Sequence, residues 1–180
     1  MRAILAVTLA ATFISPALAQ RPTPSRPAPA ATTPAEPQST TASFGDWTLR
    51  CQRPEGQPQT CEIGQTLLSS GRPVAQFAIG RPAAGEALRL TFVVMPNLSL
   101  EALPRLMPPS GTDPLMELAW RRCFAGGCLA DVEVTAPLIA QLRAQTEPGR
   151  LIFADSARRE TTLPFSPNGL ASALDALGQN

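Results

Sequence analysis

Residues 46–51 read Asp-Trp-Thr-Leu-Arg-Cys, and apolar and polar side chains alternate along this stretch. The tryptophan, the leucine and the cysteine share one parity, which predicts a β-strand with one buried face. A Pro-Glu-Gly-Gln-Pro sequence follows at residues 54–58 and is typical of a turn. A second run with strand character then occupies residues 61–68. These two runs predict a β-hairpin at the start of the folded domain.

The sequence after this hairpin predicts six more strands and two short helices. The strands are expected at residues 74–79, 88–95, 115–123, 128–134, 151–154 and 161–165, with a proline-rich crossover at 104–114. The first helix begins with a capping threonine and an early proline at residues 135–137, and the second is an apolar stripe over 170–177. Many short strands separated by turn signals predict a mainly β, antiparallel β-sandwich with two short helices.

The segment before the hairpin divides into two parts. Residues 1–19 combine an arginine, an apolar run and an Ala-Leu-Ala site, which is typical of a signal peptide cleaved after Ala19. Residues 20–43 hold six prolines among Ala, Thr and Ser with no aromatic residue, so we interpret them as a disordered linker. Residues 44–180 are then the folded domain. We expect no transmembrane segment, because the apolar run is too short to span a bilayer.

The composition excludes several classes of function. The formal net charge is +1, so a strongly basic nucleic-acid-binding surface is not expected. The sequence contains no lysine, no histidine and no tyrosine, and all 15 basic residues are arginine. A Ser-His or Cys-His nucleophile pair, a Schiff-base lysine and a histidine-ligated metal are therefore excluded. We expect no catalytic residue, no cofactor and no metal ion, and hence a protein that is not an enzyme.

Four cysteines in a chain expected to be exported predict disulfide bonds. Each of the pairs Cys51 with Cys61 and Cys123 with Cys128 brackets a predicted turn, and this connectivity is favoured. A crosslink between the two hairpins is the competing arrangement. A zinc site is disfavoured by the spacing and by the lack of histidine, and a redox role is disfavoured because no Cys-x-x-Cys motif is present.

Two groups of side chains are candidates for ligand or substrate contact. Trp120, Arg121 and Arg122 are a candidate ligand surface, because an aromatic face and guanidinium groups suit a sugar or an anion. The alternative is a core tryptophan beside outward-pointing arginines. Asp131 and Glu133 share one face of a predicted strand, and a carboxylate pair can act on a glycoside. The alternative for this pair is a solvated strand face.

Four motifs follow one another along the chain: Phe44-Gly45-Asp46-Trp47; Cys51 and Cys61; Cys123 with Gly127-Cys128-Leu129-Ala130; and Leu163-Pro164-Phe165-Ser166 with Gly169, Ala173 and Leu177. Together they resemble the invasion-associated locus B family of exported bacterial proteins. The chain departs from the family pattern at Leu170, where an aromatic residue is usual, and at residues 167–168, which are Pro-Asn in place of Leu-Lys.

The resemblance implies a secreted or periplasmic protein with an immunoglobulin-like β-sandwich, and it supplies no catalytic residues. Some members are linked to the entry of pathogens into host cells. We therefore expect a disulfide-stabilised envelope or secreted protein that binds an unknown protein or glycan ligand on the envelope or on a host surface. The alternatives are a carboxylate-dependent glycan-acting enzyme and a periplasmic stress or redox factor. The sequence leaves the oligomeric state open.

Overall fold

A computed structural model describes residues 37–179 of the chain. The expected signal peptide at residues 1–19 and residues 20–36 of the expected linker lie outside the described part. The elements run in the order β1 (Ser39–Phe44), β2 (Trp47–Gln52), β3 (Thr60–Ser69), β4 (Arg72–Gly80), β5 (Arg89–Val94), β6 (Arg105–Met107), β7 (Met116–Glu117), β8 (Ala119–Phe124), β9 (Gly127–Glu133), α1 (Ala136–Arg143), β10 (Gly149–Ala154), β11 (Glu160–Phe165) and α2 (Leu170–Gly178).

The strands form two antiparallel sheets. The large sheet has the order β1-β2-β3-β4-β5-β9-β8, and the small sheet has the order β11-β10-β6-β7. The first five strands of the large sheet follow one another as hairpins, because short turns allow each strand to pair with the next. The expectation of a mainly β, antiparallel sandwich with two short helices is confirmed. The hairpin of β2 and β3 is also confirmed, with Leu49 opposite Ile63.

Aromatic rings from both sheets meet in the core. Phe165 of the small sheet lies edge-on to Trp47, with ring centroids 5.6 Å apart, and edge-on to Phe77, at 5.2 Å. Phe153 of the small sheet packs against Phe92 of the large sheet, at 5.7 Å. All five side chains are buried. Edge-to-face pairs of this kind add to the free energy gained from burial alone, so they fix how the two sheets stack.

Two strands lie where the sequence predicted none. β1 begins at Ser39, inside the segment 20–43 that we interpreted as linker, and it pairs with β2 from Ser39 opposite Gln52 to Phe44 opposite Trp47. Its side chains are mostly exposed, so the strand carries no apolar alternation for a sequence reading to detect. β6 is a three-residue strand within the proline-rich crossover.

The strand predicted at residues 115–123 is divided into two strands. β7 belongs to the small sheet and β8 to the large sheet, and Leu118 is the residue between them. Leu118 is fully buried, and its backbone N–H donates to the carbonyl oxygen of Pro104 at 2.9 Å. The chain therefore crosses from one sheet to the other within a single residue.

Both disulfide bonds join residues that lie directly opposite each other on neighbouring strands. Cys51 pairs with Cys61 across β2 and β3, and Cys123 pairs with Cys128 across β8 and β9. This is the connectivity that the sequence favoured. The registers place the two bonds at opposite ends of the large sheet, on the face that meets the small sheet. Each bond therefore crosslinks two neighbouring strands at one end of the large sheet.

The turn between β1 and β2 is joined to the end of β11 by a set of hydrogen bonds that we call the Ser166 clasp, formed by Asp46, Trp47, Gln65 and Ser166. The carbonyl oxygen of Ser166 accepts from Trp47 Nε1 at 3.0 Å and from Gln65 Nε2 at 3.3 Å. The Ser166 backbone N–H donates to Gln65 Oε1 at 3.1 Å, and its hydroxyl donates to Asp46 Oδ2. The side-chain amide of the buried Gln65 is thus used at both its donor and its acceptor end, as burial of a polar group requires.

Two glycines allow the clasp to close. Gly45 has a φ of +55° and Gly169 has a φ of +83°, both in the left-handed region that favours glycine. A Cβ at Gly169 would collide with the carbonyl oxygen of Phe44, and a Cβ at Gly45 would lie 2.7 Å from the carbonyl oxygen of Asn168. The β1–β2 turn and the start of α2 therefore approach each other through backbone alone.

We expect Gly169→Ala to destabilise the oxidised protein far more than Gly56→Ala. Gly56 has a similar φ of +72° but no heavy atom within 4 Å of the added methyl group. Both variants strain the backbone by about 1–2 kcal/mol, and Gly169→Ala adds about 1–3 kcal/mol for the collision with Phe44. Urea unfolding of the two variants measures the difference in the free energy of unfolding. Equal losses in the two variants would contradict the close approach described here.

Candidate ligand-binding groove

A depression of about 450 Å³ crosses the outer face of the large sheet, which points away from the small sheet. Its floor is low because small side chains face outward from the central strands, at Ala78 and Gly80 of β4 and Thr91 of β5. Its cationic side chains come from three elements that flank this floor. We call the depression the arginine groove, with the floor residues just named and the arginines Arg81, Arg89, Arg121 and Arg122.

A β-bulge in β8 explains why two consecutive arginines line one groove. In a regular strand, successive side chains point to opposite faces. The pairing of β8 with β9 shifts between Trp120, which lies opposite Ala130, and Arg122, which lies opposite Leu129. The extra residue at the bulge lets Arg121 and Arg122 both reach the outer face.

The structure therefore separates the candidate surface Trp120, Arg121 and Arg122 into two parts. The indole of Trp120 turns toward the core, where its centroid lies 6.4 Å from that of Phe92. Its N–H donates to the carbonyl oxygen of Ala102 at 2.9 Å. The tryptophan is thus part of the packing, which was the alternative interpretation of these three residues. Only the two arginines line the groove.

Asp131 links two of the groove arginines. Its Oδ1 accepts hydrogen bonds from Arg89 and from Arg121 Nε, the latter at 2.8 Å, and its side chain is only 14% exposed. Burial by itself raises the pKa of the Asp131 carboxyl, but the hydrogen bonds and charges of the two arginines outweigh burial and hold this pKa below its usual value. Asp131 is consequently a fixed anion that orients the guanidinium groups.

The groove retains a positive excess. Four arginines line it against the two carboxylates of Glu62 and Asp131. Arg122 forms no ion pair within residues 37–179, so its guanidinium faces solvent with its charge uncompensated. Guanidinium groups bind carboxylate, phosphate or sulfate oxygens through paired hydrogen bonds. The arrangement is therefore suited to an anionic ligand.

Within the carboxylate pair Asp131 and Glu133, Asp131 is held in its ionised form. Both side chains lie on the outer side of β9, but Asp131 is bound by two arginines and its pKa is lowered. A general acid requires the opposite shift, since it must keep its proton near neutral pH. No observation on this strand favours a proton donor.

Residues 37–179 show no metal-binding cluster, free thiol or membrane-spanning helix. This part of the chain has no group of three or more His, Cys, Asp or Glu side chains placed to hold a metal ion. It has no free cysteine, because all four form disulfides. None of its helices is long and apolar enough to cross a membrane.

The sequence reading did not identify Arg81 and Arg89 as groove residues. Arg89 lies in the strand predicted at residues 88–95 and has the same parity as Thr91, so the alternation indicated that its side chain points outward. Its proximity to Asp131 depends on the pairing of β5 with β9, across 42 positions of sequence. No local pattern specifies that pairing.

We expect Asp131→Asn to lower the free energy of unfolding by about 1–2 kcal/mol at pH 7, because two arginines lose a charged acceptor. The difference from wild type should disappear in acid. A carboxyl whose pKa is lowered by folding stabilises the protein above its unfolded pKa of about 3.9, and this contribution is lost as the pH falls through the folded pKa.

The matched control is Glu133→Gln, which removes an exposed carboxylate from the same face of the same strand. It should change the free energy of unfolding by less than about 0.5 kcal/mol. Urea titrations of both variants between pH 7 and pH 2 provide the measurement. A pH-independent loss in Asp131→Asn would argue against the ion pairs as its cause.

Comparison with known proteins places this fold and its motifs in a family. Residues 47–178 match the family model described as invasion associated locus B (IalB) protein. A search of curated proteins found no match. Among solved structures, the crystal structure of invasion associated protein B from Bartonella henselae is similar in fold, with a TM-score of 0.66 and 20% sequence identity over 78% of this chain and 95% of that chain. The resemblance noted from the sequence motifs is thus confirmed, and the chain belongs to the invasion-associated locus B family.

Proposed function

We propose that this protein is an exported, non-enzymatic binding protein of the bacterial envelope or of the cell exterior, and that it holds an anionic ligand in the arginine groove. The observation that carries the proposal is the uncompensated guanidinium of Arg122 beside Arg121, whose orientation is fixed by Asp131. A preorganised arginine loses less conformational freedom on binding than a mobile one. Family membership supports an envelope role.

The export part of the proposal rests on the sequence and on the cysteines. Residues 1–19 have the order of a signal peptide, and the segment from Gln20 to the start of β1 is the proposed tether. Disulfide bonds persist outside the reducing cytosol, and both cysteine pairs are bonded. The proposed location is therefore the periplasm or the medium.

The proposed ligand carries carboxylate, phosphate or sulfate groups and belongs to a glycan or a protein of the envelope or of a host surface. The groove is open to solvent along the sheet, so an extended chain fits it better than an enclosed small molecule. Attraction to an open groove is screened by salt. Binding should weaken as the ionic strength rises.

The rival functions have less support. A carboxylate-dependent glycan-acting enzyme would need a proton donor, and Asp131 has a lowered pKa. A redox factor would need a reactive thiol, and within residues 37–179 every cysteine is in a disulfide. A stress factor that acts by binding would use the same groove.

We expect the full, oxidised protein to be retained on immobilised heparin at low ionic strength, and Arg122→Gln to weaken this binding about tenfold, since one charge-assisted contact is lost. The matched control is Arg72→Gln, which removes an exposed arginine of β4 that does not line the groove. The control should change the affinity by less than about twofold.

Poly-glutamate in solution distinguishes the two ligand sources. Competition with heparin by poly-glutamate indicates an acidic protein ligand, and competition by heparin fragments alone indicates a glycan. Absence of binding to both heparin and poly-glutamate, or equal losses of heparin binding in Arg122→Gln and Arg72→Gln, contradicts the proposed groove.

We expect the exported protein to begin at Gln20, because cleavage follows the small residues at 17–19. Intact-mass spectrometry of protein recovered from the periplasm or medium of a producing bacterium measures this directly. Ala19→Arg should block processing, because the cleavage site requires a small residue there. Recovery of an uncleaved wild-type chain would contradict the proposed export route.

A further inference from the structure

A second depression lies at the edge of the sandwich, where both helices meet the turn between β2 and β3 and the loop at residues 81–88. Its volume is about 260 Å³. Its apolar walls are the side chains of Leu88, Ile139, Leu174 and Leu177, together with Cys61 of the first disulfide. We call it the helix cleft. Arg81 lines both the helix cleft and the arginine groove, whereas the floor residues of the groove do not line the cleft.

The apolar walls of the helix cleft are incompletely covered. Leu174 is buried at 4% exposure, whereas Leu88, Ile139 and Leu177 are half-buried and face the open space. Arg143 of α1 joins the two helices beside the cleft. Its Nη1 donates to Asp175 of α2 at 2.6 Å and to the carbonyl oxygen of Ala171 at 3.3 Å. These contacts fix the position of α1 relative to α2 at this end.

Two cationic side chains flank these apolar walls. Arg81 and Arg143 line the cleft, and no acidic side chain does. Arg81 is anchored through Nη1 to the carbonyl oxygen of Glu86. Within residues 37–179, both arginines use only Nη1 in hydrogen bonds, so Nε and Nη2 of each remain as donors at the mouth. An apolar cavity with guanidinium donors at its mouth complements a molecule with an apolar body and an anionic end.

We propose that the helix cleft binds a small amphiphilic anion, a single short alkyl chain that ends in a carboxylate. The volume is at the lower limit for ligand pockets, so it suits one short chain and not a two-chain phospholipid. The chain lies against Ile139, Leu174 and Leu177, and the carboxylate accepts hydrogen bonds from Arg81 and Arg143. This site goes beyond the anionic groove of the proposed function, because its affinity depends on chain length as well as on charge.

The test is a titration of the isotope-labelled, oxidised full chain with octanoate, below its micelle concentration, followed by amide NMR shifts. We expect the shifts to concentrate around Ile139 and Leu177. Each methylene buried contributes about fourfold in affinity, so hexanoate, which is two methylenes shorter, should bind roughly fifteenfold more weakly than octanoate. Octanol, which has the chain without the charge, should bind at least about fivefold more weakly. Absence of binding, or shifts confined to β8 and β9, would overturn the proposal.

Variants give an independent check. Leu177→Trp fills the cleft and should weaken octanoate binding by about tenfold or more, whereas Leu100→Trp adds the same bulk at a 49% exposed site outside the cleft and should leave it unchanged. If Leu177→Trp does not fold, Ile139→Trp serves as the cleft variant, because it fills the cleft from the other helix. Equal octanoate affinity in a folded cleft variant and in the control refutes the site. Heparin retention should be the same in all three variants, so failure of this site and failure of the arginine groove are distinguishable.

Discussion

The carbonyl oxygen of Ser166 joins the N-terminal and C-terminal ends of the folded domain through two hydrogen bonds. It accepts the indole N–H of Trp47 and the amide of Gln65, from positions 119 and 101 residues away in the sequence. Breaking these bonds would leave buried polar groups unpaired, which costs more than the bonds contribute when they form. The opening Phe-Gly-Asp-Trp motif and the closing Phe-Ser motif with Gly169 are thus two halves of one contact.

The local parts of the fold were predictable and the long-range parts were not. Alternation identified β2 and β5, and the turns between cysteines indicated both disulfides, because each signal lies within a few residues. β1 was not predicted, because an exposed edge strand needs no apolar face and so shows no apolar alternation. The direction of Trp120 depended on a bulge, and the arginine groove depended on the pairing of β5 with β9. Such pairings are decided by the whole sandwich, and no short stretch of sequence encodes them.

Arginine is the only basic residue type in the sequence, and this determines how the charge of both candidate sites responds to pH. A guanidinium stays protonated at any pH that a bacterium meets, unlike an amine or an imidazole. Asp131 stays ionised into mild acid because its pKa is lowered. The positive charge of the arginines in the groove and in the helix cleft therefore varies little with the acidity of the surroundings. This constancy suits the proposed location outside the cytoplasm, where the pH is less closely controlled.

The crossing of the chain at Leu118 bears on how the molecule comes apart. One buried residue separates a strand of the small sheet from a strand of the large sheet, so neither layer can detach without pulling on the other. This connection is too short to let the two sheets move apart while both stay intact. We therefore expect the two sheets to unfold together in one cooperative transition.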